Sequence, residues 1–366
     1  MRIDRLSRLY DDPGPFASVL VDVSRDSEDA GHQLELRIRA LREQLLEEGA
    51  PADVVEALGA RLDEVVHQPA PVSRQLVATE RGVLLDEVVH ARFDDQYARW
   101  DALPDVTRWI ALEDGTVPFV LAVVDHEGGD VATYRSDVPG PESQEATGGE
   151  TFHESKVRGT GLSNIRMQNV VENVWKRNAQ EVADLVQSQV SRGHRLVLLA
   201  GDPKSRSQVH SMLADLQRAE VMELESGSRA DDGGEEALMA AVRDAVHKYV
   251  VAQRLDVAHV LQDRLGRDEA VATGTTDVLD AMVRGQVDTV LIDPDRLAEA
   301  TLTVQDHPGL SLGAVGAPDA SVRADLALVA AAAVTGADVA VAGAGVLRGT
   351  PAAALLRWDQ PSPGSS

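Results

Sequence analysis

Thr273-Gly274-Thr275-Thr276-Asp277-Val278-Leu279-Asp280-Ala281-Met282-Val283-Arg284-Gly285-Gln286-Val287-Asp288-Thr289-Val290-Leu291-Ile292 sets a short helix against a strand. A threonine hydroxyl, from Thr275 or Thr276, is the expected cap, because the first-turn amides of a helix lack partners within it. Val278, Met282 and Val283 are expected to face inward. Gly285 supplies the left-handed turn that ends the helix. Val287 to Ile292 then reads as a buried strand.

Outward from this stretch, a long helix is expected over Leu238 to Leu265. After Ile292 come a helix, a strand at Val339 to Ala342 and a final strand ending at Trp358. Leu326 to Ala344 is Ala- and Gly-rich with Asp338 inside it, so it reads as core helix plus strand and not as a membrane span. Asp359 to Ser366 reads as a disordered tail. Upstream, Glu225 to Glu236 is a polar acidic linker.

Before the linker lies a second unit. Phe119 to Val124 and Val131 to Tyr134 form a hairpin across Glu127-Gly128-Gly129-Asp130. Ser136 to Gly161 reads as a long loop, rich in Gly, Pro, Ser and Glu. A long helix follows with Ser163 as its N-cap. Val170, Val171, Val174, Trp175, Ala179, Val182, Val186 and Val190 recur at helical spacing. Trp175 is taken with this apolar stripe as a core residue. Gly193 closes the helix, Arg195 to Ala200 is a buried strand, and Gly201-Asp202-Pro203 turns into a helix over Gln208 to Leu216.

The first third opens on a strand, Phe16 to Val23. Helices follow over Gln33 to Glu48 and Ala52 to Val66, with Pro51 at the start of the second. Arg74 to His90 reads as a hairpin turning at Glu80-Arg81-Gly82, and a polar, Trp-containing stretch runs to about Asp114. The expected architecture is α/β (α+β) in three domains. These are an N-terminal α+β domain at 1–113, a middle domain at 114–230 with the loop 136–161, and a C-terminal domain at 231–358 before the tail at 359–366.

The chain has 366 residues, a formal net charge of −25 and no cysteine. Disulfides and thiolate metal sites are therefore excluded. The first ten residues lack an apolar signal core, and a cytoplasmic location is expected. Charge is unevenly distributed. Residues 151–210 hold 9 Lys and Arg against 5 Asp and Glu, a net of +4, so the other 306 residues carry −29. An acidic body repels nucleic acid, and a single basic element localises any phosphate contact.

Several chemistries can be weighed on these residues. His153, Glu154 and Ser155 are adjacent on a loop, where a nucleophilic triad needs convergence in space. Asp125 and Asp130 read as hairpin-turn acids rather than metal ligands. The histidines lack metal-ligand spacing, and no G-x-x-x-x-G-K-S/T phosphate loop is present. With aromatics at 3% and no ladder of Phe or Tyr, sequence-specific RNA reading is disfavoured. No catalytic residue, metal or cofactor is expected.

The stretch from Thr273 to Ile292 resembles the C-terminal domain of the peptide-chain release factor 1/Pelota superfamily. Gly349-Thr350-Pro351-Ala352-Ala353-Ala354-Leu355-Leu356-Arg357-Trp358 is similar to the closing strand of that family, Gly-Gly-Ile-Gly-Ala-Ile-Leu-Arg-Tyr. Phe119 to Asp125 with its glycine turn, and Leu196 to Gly201 with Lys204 following, resemble the family's middle domain. The order of units agrees along nearly the whole chain. The likeness is greatest to a bacterial, actinobacterial-type branch that includes the ribosome hibernation factor Balon. The resemblance implies an RNase H-like middle domain and a C-terminal α/β sandwich of the kink-turn-binding ribosomal-protein type.

The chain departs from that family where hydrolytic members carry Gly-Gly-Gln before the long helix. Here the sequence is Arg158-Gly159-Thr160-Gly161-Leu162-Ser163-Asn164-Ile165-Arg166. The glycines and Arg166 are kept and the glutamine is not. Gly148-Gly149-Glu150 lies upstream, out of register, with a carboxylate in place of the amide. The Asn-Ile-Lys-Ser signature of stop-codon reading is also absent. The resemblance thus implies a non-hydrolytic, tRNA-shaped binder of the ribosomal A site in hibernation or stress protection. Delivery by elongation factor Tu or another translational GTPase goes with it. The expected ribosome- and RNA-binding residues are Lys156, Arg158, Gly159, Thr160, Gly161, Ser163, Arg166, Lys176 and Arg177. The alternatives are a ribosome-rescue peptidyl-tRNA hydrolase or tRNA nuclease, and a non-ribosomal interaction module that keeps only the fold.

Overall fold

Phe16–Asp22 (β1) is buried along its whole length because it is covered on both faces. In the computed structural model of this chain, Ala17, Val19 and Val21 pack under two helices, α1 (Ala30–Glu47) and α2 (Ala52–Asp63). Leu34, Ile38, Leu41 and Leu45 of α1 recur at helical spacing and complete that layer. Pro51 stands just before α2 in extended conformation, as a proline at a helix start requires. Described residues are 6–26, 29–68, 70–93, 95–138, 140–148, 162–225, 234–267, 269–315 and 321–358. The chain divides into two units, residues 1–115 with 255–366, and residues 116–254.

β1 pairs antiparallel with β2 (Ser73–Thr79), which pairs with β3 (Gly82–Val89). The expected polar stretch before Asp114 instead holds β4 (Tyr97–Asp101) and α3 (Thr107–Glu113). β4 closes the sheet in the order β3-β2-β1-β4. Trp109 and Ile110 of α3 are buried, so the apolar residues of that stretch serve a core that local polarity conceals. Phe16, Val77, Trp109 and Ile110 share one cluster with the C-terminal part of the same unit.

The second unit is built on β5 (Pro118–Asp125) and β6 (Gly128–Arg135), an antiparallel hairpin. Part of the expected loop 136–161 is a strand, β7 (Ser143–Gly148), which pairs antiparallel with β6. Residues 149–161 lie outside the described residues. The long helix α4 (Leu162–Ser191) starts one residue before the expected cap, so Ser163 falls inside it. β8 (Leu196–Gly201) runs parallel to β5. α5 (Pro203–Met212) starts five residues earlier than expected, because Asp202 caps it and Pro203 takes the first helical position. β9 (Glu220–Glu223) completes a sheet of order β7-β6-β5-β8-β9. The first part of α6 (Glu235–Arg267) contributes Leu238, Val242, Ala245 and Val246 to the core beneath one face.

The C-terminal segment of the first unit holds β10 (Val271–Thr273), α7 (Thr275–Val283), β11 (Val287–Ile292) and α8 (Pro294–Leu297). A two-stranded ribbon follows, β12 (Thr301–Leu302) with β13 (Val322–Arg323). α9 (Ala324–Thr335) and β14 (Asp338–Val341) account for the expected helix and strand of Leu326 to Ala344. The last strand, β15 (Ala352–Leu356), is antiparallel to both β10 and β11, in the order β10-β15-β11-β14. Gly274 takes the cap position of α7, and Thr275 and Thr276 lie in the first turn, so neither threonine caps it. Val278 and Met282 are buried as expected, but Val283 is exposed because the inward face is completed by Leu279 and Ala281. Three separate sheets in mixed α/β layers thus make up the described chain, together with the small ribbon. Among the described residues no helix is long and apolar enough to cross a membrane.

Candidate nucleic-acid interface

The parallel strands β5 and β8 end side by side. Val124 is in register with Gly201, and the Asp202 amide donates to the Val124 carbonyl at 2.8 Å. In open α/β sheets ligands gather outside the carboxyl ends of parallel strands. Gly201 adopts φ +105°, and a Cβ there would lie 2.0 Å from the Val124 carbonyl oxygen. Only glycine lets the two backbones meet so closely.

The carboxylates at this edge serve their own turns. Asp125 Oδ1 accepts from the amides of Glu127 at 2.7 Å and Gly128 at 3.0 Å. Asp202 Oδ1 accepts from the amides of Lys204 at 3.1 Å and Ser205 at 3.0 Å. The Ser205 amide bond, above all, holds the Asp202 carboxyl below its usual range. The reading of Asp125 as a turn acid agrees with this geometry. On the far side of α5, Glu223 is held low by the His210 ring and then by Arg206, whose Nε reaches its Oε2 at 2.7 Å. Among the described residues no group of three or more His, Asp or Glu is placed to hold a metal ion.

α4 passes over the same edge. Its buried stripe runs through Ala179, Val182, Ala183, Val186 and Val190. Val182 lies over Gly129 at the start of β6. One turn earlier, Asn178 Nδ2 donates to the His126 carbonyl in the hairpin turn at 3.2 Å. Trp175 therefore stands beyond the end of the sheet. It is 38% exposed, which corrects the expectation of a core residue: the apolar stripe continues but the sheet beneath it does not. Its ring centroid lies 5.5 Å from that of His126, with the planes tilted by 52°. His126 is exposed as well. Thr147 Oγ1 donates to Glu181 Oε2 at 3.0 Å, which ties β7 to the same helix.

Lys176 and Arg177 are exposed on α4, next to Trp175, and Lys204 is exposed in the first turn of α5. Arg166 and Ser163 belong to the first turns of α4. Lys156, Arg158, Gly159, Thr160 and Gly161 lie outside the described residues, as do Glu150, His153, Glu154 and Ser155. Sequence reasoning misses His126 and Asn178, and reads Trp175 and Lys204 for other reasons. The signal that could find them is the meeting of two turns, Asp125 to Gly128 and Gly201 to Lys204, at the ends of two parallel strands.

Residues 118–267 match the family described as Bacterial archaeo-eukaryotic release factor family 2. Two Mycobacterium tuberculosis proteins, Uncharacterized protein MT2704 of strain CDC 1551 / Oshkosh and Uncharacterized protein Rv2629 of strain ATCC 25618 / H37Rv, are each 28% identical over 361 residues. Each alignment covers 92% of this chain and 91% of the relative. Pelota of Archaeoglobus fulgidus is similar at 15% identity, with 80% of this chain and 81% of that chain covered and a TM-score of 0.31.

Proposed function

We propose, from the match of residues 118–267 to the family described as Bacterial archaeo-eukaryotic release factor family 2, that the protein is a ribosome-associated translation factor. It binds the A site without hydrolysing peptidyl-tRNA and acts in hibernation or stress protection, in the cytoplasm. One observation carries this reading. The connection from β7 to α4, where hydrolytic members of the resembling family hold Gly-Gly-Gln, has no glutamine between Gly148 and Leu162. Thr160 and Leu162 flank Gly161, and neither offers an amide to orient water. Glu150 offers a carboxylate, which ester and phosphate oxygens repel. The glycines, Arg166 and the net-positive window keep what binding needs. Delivery by elongation factor Tu or another translational GTPase belongs to the same proposal.

Sedimentation with ribosomes from growing and from starved cells tests it, alongside release of peptide from peptidyl-tRNA at stop and sense codons. Co-sedimentation with no protein-dependent release is the expected result. Release that disappears on Glu150→Ala would replace the proposal with the rescue-hydrolase reading. Failure to sediment with either ribosome population would leave a non-ribosomal interaction module.

A further inference from the structure

We propose that Trp175 and His126 form a stacking platform for one unpaired RNA nucleotide, with Lys176 and Lys204 placed for its flanking phosphates. This rests on the ribosomal reading above and names the chemistry that the second unit presents to it.

The argument starts from exposure. A tryptophan on an apolar helix stripe is ordinarily driven inward, yet Trp175 is 38% exposed because α4 overhangs the carboxyl edge of its sheet. The Asn178 bond to the His126 carbonyl fixes the helix against the turn, and the two rings stand 5.5 Å apart. A tilt of 52° leaves a wedge of two aromatic faces rather than a closed stack. Unpaired bases are held by stacking on such faces, with little dependence on sequence.

Charge then favours RNA over a protein partner. The chain carries four lysines, and Lys176 and Lys204 are two of them. Both are exposed on elements that converge at this edge, with Arg177 also exposed beside Lys176. Asp125 and Asp202 turn carboxylate oxygens to their own backbone amides, and the exposed Asp202 also interacts electrostatically with His126. Glu127 is the exposed acid next to His126 in the turn. A body of net charge −25 that carries two of its four lysines on the two helices meeting at this edge matches a phosphate-bearing aromatic ligand.

The test uses the full chain and a single-stranded uridine decamer with one central 2-aminopurine riboside. Stacking quenches this fluorophore. Trp175→Ala is expected to abolish the quench and weaken binding by about 5- to 100-fold, from the usual strength of base–aromatic stacking. Trp175→Phe keeps a ring and is expected to stay within about 3-fold of wild type. Lys176→Ala with Lys204→Ala is expected to keep the quench at saturation but flatten the salt dependence. Circular dichroism verifies that each variant is folded.

Ribosome sedimentation of the same proteins separates the two proposals. If wild type sediments with ribosomes, but decamer binding is absent or indifferent to Trp175, the platform is overturned and the ribosomal reading stands. If Trp175→Ala loses sedimentation while decamer binding is unchanged, the ring meets a ribosomal protein, and the RNA assignment is overturned. If wild type never sediments yet quenches through Trp175, the platform stands without the ribosome.

Discussion

Arg323 donates to Asp105 across 218 positions of sequence, and its second amino group reaches Asp325 at 2.6 Å. Asp105 is 3% exposed and sits beside the Tyr97 hydroxyl, which donates to its carbonyl at 3.0 Å. Burial pushes the Asp105 carboxyl up, and the Arg323 guanidinium offsets part of that rise. The fork thus joins the segment after β4 to the start of α9 within one unit.

Arg323→Ala removes a cation that both buried acids share at hydrogen-bonding distance. Urea unfolding at neutral pH is expected to show a destabilisation of about 3–5 kcal/mol, the range for breaking a buried pair. The folded Asp105 carboxyl lies above its unfolded value, so its contribution is present at low pH and disappears as pH rises. Without Arg323 that rise is larger. The gap between variant and wild type is therefore expected to be widest at neutral pH and to narrow below about pH 4.

Asp86 shows the opposite sign. Burial opposes its charge, but Arg74 grips both oxygens at 2.7 and 2.8 Å and Arg61 adds a bond at 2.7 Å. The net effect holds the carboxyl below its usual range. Its contribution is present above the unfolded value and disappears as pH falls through the folded one. Asp86→Ala leaves the buried Arg74 without its forked partner and is expected to cost about 3 kcal/mol near pH 7. Unfolding curves taken down the acid limb are expected to converge.

Gly201→Ala is expected to destabilise the second unit by about 3 kcal/mol or more, since a left-handed conformation and a backbone clash add. Thermal unfolding monitored through Trp175 is the readout. An unchanged melting temperature would mean that β8 and β5 can separate at their ends.

Lys156→Ala, Arg158→Ala and Arg166→Ala together are expected to weaken ribosome sedimentation and make its salt dependence shallower. The log–log slope falls by about 0.7 to 0.9 for each phosphate that a removed cation had neutralised. Arg264, Arg267 and Arg284 replaced together serve as the control. A control that abolishes binding while the triple variant keeps it would move the anchor to the C-terminal segment.

Most elements are legible in the sequence where local pattern and burial agree. β1, the hairpin β2–β3, α2 behind Pro51, and the pair α7–β11 all follow from spacing and turn residues. β7 is hidden because Ser143-Gln144-Glu145-Ala146-Thr147-Gly148 offers Ala146 as its only apolar side chain. An edge strand paired with β6 alone needs no apolar face. β9 is four residues at the opposite edge, with only Val221 and Met222 apolar, too short for an alternating pattern to show. The fork of Arg323 is not readable from sequence, because nothing local marks a partner 218 positions away. Trp175 deceives a sequence reading because periodicity records which face of a helix is apolar and not where the sheet below it stops.

The position of β15 bears on how the chain is made. Ala352–Leu356 lies between β10 and β11, yet it leaves the synthesising ribosome after every other described strand. Until translation reaches Leu356, β10 has no neighbour and β11 can pair only with β14. The second unit, complete well upstream, can condense during elongation. The C-terminal sheet cannot, and it carries an open seam through its centre until Leu356 has been made. A messenger truncated before codon 352 would therefore yield a product with two unsatisfied strand edges, a ready target for proteolysis or aggregation.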